Sequence, residues 1–374
     1  MAELQQTLAT LLGGESIDAR EIDLRLVKKY GRPFLLLPAS SRLAAQTLAL
    51  YPAQTPLARL ARRGFRTALT VGLSIGTEKL SVSVSQANSF VRFLCEAANQ
   101  SGSPSGRSAN VPPFGILVGN PNAVGQRLVF LVFNATGKPA AVIKVGVTDE
   151  AKRLIRQERE FLKSAPQISG IPRLTNTFES PEAEALAMNF IEGESPRENA
   201  EWKVQRLLTS WVRSRQELKI GETRVWTELK QHCSALPILA ELAKTLPDKI
   251  VNPTIFHGDL TPWNIKVSAI GDWTVFDWER GDGIGLPGYD WFHYFIQTRI
   301  LVAHIPVAGL VGELESLVSS DEFQQYADLT KISGIEQQVA IMYLLHISEV
   351  IRPGEGLNEA KELLKALEEA GWAQ

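Results

Sequence analysis

The stretch from residue 254 to residue 278 constrains the fold of this chain more than any other. Thr254-Ile255-Phe256 and Ile265-Lys266-Val267 are short, largely apolar runs, and eight residues lie between them: His257-Gly258-Asp259-Leu260-Thr261-Pro262-Trp263-Asn264. Pro262 lacks a backbone N–H and its ring clashes with the preceding turn, so no regular helix can cross this interval. The interval therefore reads as a loop held between ordered segments. It presents a carboxylate (Asp259) and an amide (Asn264), five residues apart, toward one pocket. A second carboxylate, Asp277, ends the apolar run Trp273-Thr274-Val275-Phe276. Burying a charge at such a strand end is costly unless a cation compensates it.

These residue types suit one chemistry. Moving the γ-phosphoryl group of ATP requires metal ions, groups that hold the phosphates, and a group that orients the attacking hydroxyl. A carboxylate such as Asp259 can accept the hydroxyl proton, and the oxygens of Asn264 and Asp277 are hard ligands suited to Mg²⁺. Either aspartate alone would read as a cap or a surface charge. Together with Asn264 and the downstream Gly285-Leu286-Pro287-Gly288-Tyr289-Asp290 they form a set.

His-Gly-Asp-x-x-x-x-Asn, then Asp-Trp-Glu, then Gly-x-Pro-x-x-Asp resembles the aminoglycoside phosphotransferase and choline kinase superfamily. Its members are relatives of protein kinases in which glycine replaces the arginine of the His-Arg-Asp loop. The resemblance covers roughly residues 112–374 and is strongest over 254–295. It implies an ATP- and Mg²⁺-dependent phosphotransferase acting on a hydroxyl of a small molecule such as an aminoglycoside, amino alcohol or sugar. Asp259 is then the catalytic base, Asn264 and Asp277 hold Mg²⁺, Asp290 braces the loop through its backbone, and His257 packs beneath it.

The same resemblance assigns the upstream region. Lys144, in Ala140-Ala141-Val142-Ile143-Lys144-Val145, matches the strand lysine that binds phosphates. Its partner is a helix glutamate, Glu158 by spacing, with Glu160 as the other choice. Gly119 and Gly125 flank a turn where backbone amides could approach phosphates; a plain hairpin turn would look the same, and the Gly-x-Gly-x-x-Gly pattern is absent. Asn189, Phe190 and Ile191 mark the crossing from the last strand into the larger lobe, where backbone groups meet the adenine edge, and Gly193 permits the turn.

The expected fold is α+β: a bilobal, protein-kinase-like arrangement with a small β-rich N-lobe (112–192) and a larger α-helical C-lobe (193–374). Strand-like runs at 128–133 and 140–145, joined by a turn at 137–139, precede a charged helix at 149–164 and a further strand at 185–191. Two amphipathic helices over 199–246, separated near Gly221, and several more over 289–371 follow. Before the N-lobe, the Ser/Gly/Pro-rich 99–111 reads as a flexible linker. Residues 1–98 read as a separate small α/β module of unknown role, with a strand at 34–38 and helices near 42–50 and 85–98.

Charge adds two observations. Residues 1–110 hold 13 Lys/Arg against 7 Asp/Glu, and Arg59, Arg62, Arg63 and Arg66 form a basic cluster. This reads as a solvated helix face or a patch docking onto the acidic remainder, with a phosphate or anionic surface as the alternative. Residues 306–374 hold 12 Asp/Glu against 4 Lys/Arg, which is either a solvated acidic surface or a preference for a cationic acceptor. Trp278, Trp291, Phe292 and Tyr294 are either core or the lining of an acceptor pocket.

With a net charge of −2 the chain is not expected to bind nucleic acid. Cys95 and Cys233 are too few and too far apart for a disulfide framework. With neither a signal-like start nor an eighteen-residue apolar run, a cytoplasmic location and no membrane span are expected. A nucleotide-binding pseudokinase or scaffold, whose N-terminal module docks a partner, is the rival reading. Retention of Asp259, Asn264, Asp277 and Lys144 weighs against it. A protein kinase is disfavoured because the short interval from Asp277 to Asp290 leaves no room for an activation segment.

Overall fold

Alternation of apolar and polar residues along seven strands builds the largest core of the chain. A computed structural model describes residues 2–13, 16–51, 53, 55–73, 76–99, 111–119, 125–196, 201–351 and 359–372. They divide into two compact units, Met1–Lys163 with Pro172–Gly193, and Ser164–Ile171 with Glu194–Gln374.

The first unit contains β1 (Arg20–Lys29), β2 (Arg32–Pro38), β3 (Thr77–Val84), β4 (Phe114–Leu117), β5 (Arg127–Phe133), β6 (Pro139–Gly146), β7 (Leu174–Glu179) and β8 (Glu184–Asn189). They form one eight-stranded sheet in the order β3-β1-β2-β4-β5-β6-β8-β7, with every neighbouring pair antiparallel. On one face, every second residue enters a single core: Leu24 and Leu26, Leu36, Phe114 and Ile116, Leu128 and Phe130, Ile143 and Val145. Side chains alternate across a strand, so this face must be covered. Two amphipathic helices do so, α1 (Ala2–Leu12) through Leu8, Leu11 and Leu12, and α4 (Ser89–Asn99) through Phe90, Val91, Phe93 and Leu94. The opposite face meets α2 (Ser41–Thr47) and α3 (Pro56–Thr70), where Leu35 and Leu37 pack with Ala44, Ala45 and Leu69. The last helix of the unit, α5 (Asp149–Ser164), carries Asp149 and Glu150 in its first turn and Lys163 in its last, as the helix dipole favours.

This sheet corrects the expected division. Residues 1–98 do not form a module separate from 112–192, because β2 pairs with β4 (Leu35↔Leu117, Leu36↔Ile116) and the strands share one core. The physical reason is edge pairing: β2 and β4 would each expose unpaired N–H and C=O groups alone, and side by side they satisfy one another. Most of the expected linker (100–110) lies outside the described residues. The intervening chain does not isolate the flanking elements, since the Phe90 ring of α4 meets Phe130 of β5 and Phe178 of β7.

The second unit is mostly helical: α6 (Glu201–Ser210), α7 (Arg224–Cys233), α8 (Pro237–Leu242), α9 (Tyr289–Leu301), α10 (Val307–Val318), α11 (Asp321–Thr330), α12 (Glu336–Glu349) and α13 (Ala360–Glu369). Three two-stranded ladders accompany them. β9 (Leu218–Lys219) pairs with β10 (Ile250–Val251), β11 (Thr254–Phe256) with β14 (Asp282–Gly285), and β12 (Ile265–Val267) with β13 (Trp273–Val275). Helix α9 is buried almost all round, from Tyr289 to Thr298, so it is a core helix rather than an amphipathic one. Trp291 packs edge-on to Phe323 and Tyr326, and Phe292 packs against Phe323. Trp278, Trp291, Phe292 and Tyr294 are all buried, as core residues are.

None of the acidic residues described beyond position 305 is buried. Their surplus is therefore a solvated face. Cys95 and Cys233 are unpaired thiols. Among the described residues, no helix is long and apolar enough to cross a membrane.

Candidate active site

The loop between β11 and β12 is fixed by its backbone before any side chain takes part. Gly258 has φ +78°, and a Cβ there would lie 2.9 Å from both the Arg280 Cβ and the Phe256 ring. Only glycine meets both the conformation and the close approach. Asp290, in the first turn of α9, accepts the N–H of His257 through Oδ2 at 2.7 Å and the N–H of Gly258 through Oδ1 at 2.9 Å. Burial lifts the Asp290 carboxyl above its ordinary value, although His257 and these two N–H groups favour its ionised form.

His257 is fully buried under the loop. Its Nε2–H donates to the Phe276 carbonyl at 2.9 Å, and its Nδ1 accepts the Asp259 N–H at 3.1 Å. That pattern assigns a neutral ring protonated at Nε2. Burial also pushes the imidazole below its usual titration range, outweighing the nearby Asp290 and Asp259 charges. The ring stands edge-on to Trp278, with centroids 4.6 Å apart.

Asp259 is held on both oxygens. Oδ1 lies 3.0 Å from His293 Nε2, and Oδ2 accepts from Asn264 Nδ2 at 3.1 Å; the same Nδ2 reaches the Asp259 carbonyl at 2.9 Å. Burial opposes ionisation of Asp259. The hydrogen bond and charge of His293, with the Arg280 charge, outweigh that effect and keep the carboxyl below its ordinary value. The side chain remains 34 % exposed, so an ionised acceptor faces outward.

His293 was not anticipated from the sequence. It is fully buried on α9, and its Nδ1 lies 3.2 Å from the Tyr343 hydroxyl of α12. Its one sequence signal is its spacing: three residues after Asp290, it shares that residue's face of the helix.

Asn264 and Asp277 are brought to the same end of the β12–β13 ladder, where the Phe276 N–H donates to the Asn264 carbonyl at 2.7 Å. Asp277 adopts the left-handed conformation, φ 72° and ψ 53°, which among non-glycine residues Asp and Asn tolerate best. With its amide nitrogen committed to Asp259, Asn264 has its carbonyl oxygen as the atom able to ligate. An amide oxygen and a carboxylate are a hard donor set that fits Mg²⁺, which takes one or two protein ligands and completes its shell with phosphates and water. Among the described residues no group of three His, Cys, Asp or Glu is arranged to hold a metal, so a cage made wholly of such side chains is not what this set resembles.

In the first unit, Lys144 Nζ lies 2.7 and 2.8 Å from the two carboxylate oxygens of Glu158, and the side chains are 9 % and 0 % exposed. Glu160 instead faces solvent and pairs with Arg159 and Lys163. Asn189 pairs with Ala141, and the Phe190 N–H donates to the Ala140 carbonyl at 2.9 Å. That N–H is thus committed to the sheet and is not a donor for a nucleotide.

Gly119 and Gly125 both have positive φ, and a Cβ on Gly125 would strike Leu154 of α5 at 2.8 Å. Helix packing accounts for that glycine without a phosphate. The turn between them, 120–124, lies outside the described residues.

A small pocket in the second unit is lined by Arg224, Glu228, Phe256, Asp282, Leu286 and His346, among others. Asp259, Asn264 and Asp277 are not part of its lining.

Residues 192–305, the segment holding this loop and α9, match the phosphotransferase enzyme family. The aminoglycoside phosphotransferase resemblance read from the motif is borne out over that segment. No curated protein matches the chain. Among solved structures it is similar to choline kinase LicA from Streptococcus pneumoniae at 17 % identity, over 68 % of this chain and 94 % of that one, with a TM-score of 0.44. A thermostable mutant of aminoglycoside phosphotransferase APH(4)-Ia, in ternary complex with AMP-PNP and hygromycin B, is 14 % identical over 66 % and 90 % of the two chains, with a TM-score of 0.40. A putative fructosamine-3-kinase from Haemophilus somnus is 12 % identical over 75 % and 95 %, also with a TM-score of 0.40. Identities and scores this low do not carry an activity from one chain to another.

Proposed function

We propose that this chain, whose residues 192–305 match the phosphotransferase enzyme family, transfers the γ-phosphoryl group of ATP to a hydroxyl of a small molecule in a Mg²⁺-dependent reaction. The observation that carries this reading is the setting of Asp259. Its carboxyl is held by His293 on one oxygen and Asn264 on the other, in a loop that Asp290 fixes through two backbone hydrogen bonds.

Each residue then has a distinct task. Asp259 orients the acceptor hydroxyl and takes its proton as the bond to phosphorus forms. Asn264 and Asp277 hold the metal, which supplies charge neutralisation for the phosphates when bound. Lys144, aligned by Glu158, offers its ammonium to the phosphates. Neither the solvated acidic helices nor the buried aromatics near the motif favour a cationic acceptor over a sugar.

Calorimetric titration of ATP with and without Mg²⁺, followed by an ADP-release screen across aminoglycosides, amino alcohols and sugars, tests the proposal. Mg²⁺-dependent nucleotide binding and turnover that Asp259→Ala abolishes is the expected result. Absence of nucleotide binding at millimolar ATP, or turnover unchanged in Asp259→Ala, would overturn it.

A further inference from the structure

Helix α3 has a second apolar face that the fold leaves uncovered. Its inner side, with Phe65 and Leu69, packs against Leu35, Leu37, Ala44 and Leu48. Its outer side carries Leu57, Leu60 and Gly64, continued by the capping residue Val71. Spacings of three, four and seven place these four on one stripe. Leu57, Leu60 and Val71 are 76 %, 68 % and 67 % exposed. A Cβ added at Gly64 would meet nothing within 4 Å, so the stripe faces open space. Single exposed leucines are ordinary on protein surfaces, but an aligned row of them is not.

Cations dominate the chain around this stripe, Lys28 being paired with Glu78 of β3 at 2.7 Å. From Leu24 to Thr77 the sequence holds nine Lys or Arg and not one Asp or Glu. Four of the nine lie on α3. Arg59 and Arg62 turn back to the Ala53 and Tyr51 carbonyls, at 3.3 and 3.0 Å, while Arg63 and Arg66 stay exposed, Arg63 on the flank of the stripe and Arg66 farther round the helix. The β1–β2 hairpin extends the same composition. Its tip carries Tyr30, which is exposed.

An apolar stripe with a basic flank on a helix is the pattern of a segment lying in the plane of a membrane interface. A cation-rich surround favours the negative surface potential of anionic lipids. Nucleic acid would use the cations and leave the leucines in water.

We propose that α3 seats this protein on an anionic lipid surface, with Leu57, Leu60 and Val71 entering the headgroup boundary and Arg63 at the level of the phosphates. This inference is independent of the reaction read at Asp259.

Co-sedimentation of the full chain with vesicles of phosphatidylcholine alone, or of equal parts phosphatidylcholine and phosphatidylglycerol, tests it. Binding to the mixed vesicles only is expected. The double change Leu57→Ser, Leu60→Ser should weaken it at least about tenfold. Arg63→Ala should weaken it about fivefold, and Gly64→Leu, which enlarges the stripe without a clash, should strengthen it. Circular dichroism checks that these surface variants keep the fold.

The proposal is overturned if the protein does not bind mixed vesicles at low salt, or if the double serine variant binds as well as the parent. It is equally overturned if a DNA or RNA duplex binds in place of the vesicles with no dependence on the leucines. A dimer that the double serine variant converts to monomer, with no vesicle binding, would assign the stripe to a second copy of the chain.

Discussion

His293 Nε2 stands 3.0 Å from Oδ1 of Asp259, on the carboxylate oxygen that Asn264 does not take. The ring is fully buried and is backed by the Tyr343 hydroxyl at 3.2 Å. It thereby fixes the rotamer of the proposed base and favours its ionised form. Asp259→Asn should lower kcat by roughly 10²–10⁴-fold, the span expected for removing a general base. His293→Phe should cost less, about tenfold, and should move the acid limb of the pH–rate profile. Because the hydrogen bond from His293 depresses the carboxyl, its loss raises the Asp259 pKa, so activity falls away at a higher pH than in the parent. An unmoved limb in His293→Phe would show that the imidazole does not tune Asp259.

The buried Lys144–Glu158 pair makes a different prediction. Lys144→Met removes the ammonium that pairs with the Glu158 carboxylate at 0 % exposure, and breaking a buried pair in this way costs about 3–5 kcal/mol. Replacing both, as Lys144→Met with Glu158→Leu, should restore most of the melting temperature, since the desolvated charge is gone. Nucleotide binding should stay lost in both variants. Thermal unfolding and ATP titration on the same samples separate the two effects; a double variant that regains ATP binding would exclude Lys144 from the phosphate site.

Glu228 of α7 sets an acid limit on stability. It accepts from His346 Nε2 at 2.8 Å and from Arg224 Nε at 2.9 Å. The His346 hydrogen bond, against the cost of burial and with help from Arg224, holds its carboxyl down to about 2 from an ordinary 4.5. A folded value below the unfolded one gives stability that is fully present above the ordinary value and is lost as pH falls toward the folded value. Urea unfolding across this acid range should therefore show a smaller loss of stability in Glu228→Gln than in the parent. Parallel curves for the two proteins would show that Glu228 contributes nothing there.

Sequence by itself carried the local features. Helix 149–164 and the strands near 128–133 and 140–145 follow from strong periodicity and flanking turn residues, and the structure has them as α5, β5 and β6. The spacing of Asp259, Asn264 and Asp277, and the choice of Glu158 over Glu160 opposite Lys144, were also legible, because a motif and a helical repeat are properties of neighbouring residues.

Strands β1 and β3 were missed. Ile22, Leu24 and Leu26, and Leu80, Val82 and Val84, do alternate with polar residues as half-buried strands do, but nothing local announces that the two strands pair with each other fifty or more residues apart. The same limit explains the merged sheet: the pairing of Leu35 with Leu117 and the contact of Phe90 with Phe130 depend on long-range register, which no window of sequence contains.

His293 shows the division most sharply. In Trp-Phe-His-Tyr-Phe it reads as one more core residue, and only the packing of α9 beneath the loop turns its ring toward Asp259. Sequence thus determined which chemical groups this chain possesses and at what spacing. Tertiary structure alone decided which distant groups touch, because a hydrogen bond of 3 Å between residues 259 and 293 is a property of packing and not of order along the chain.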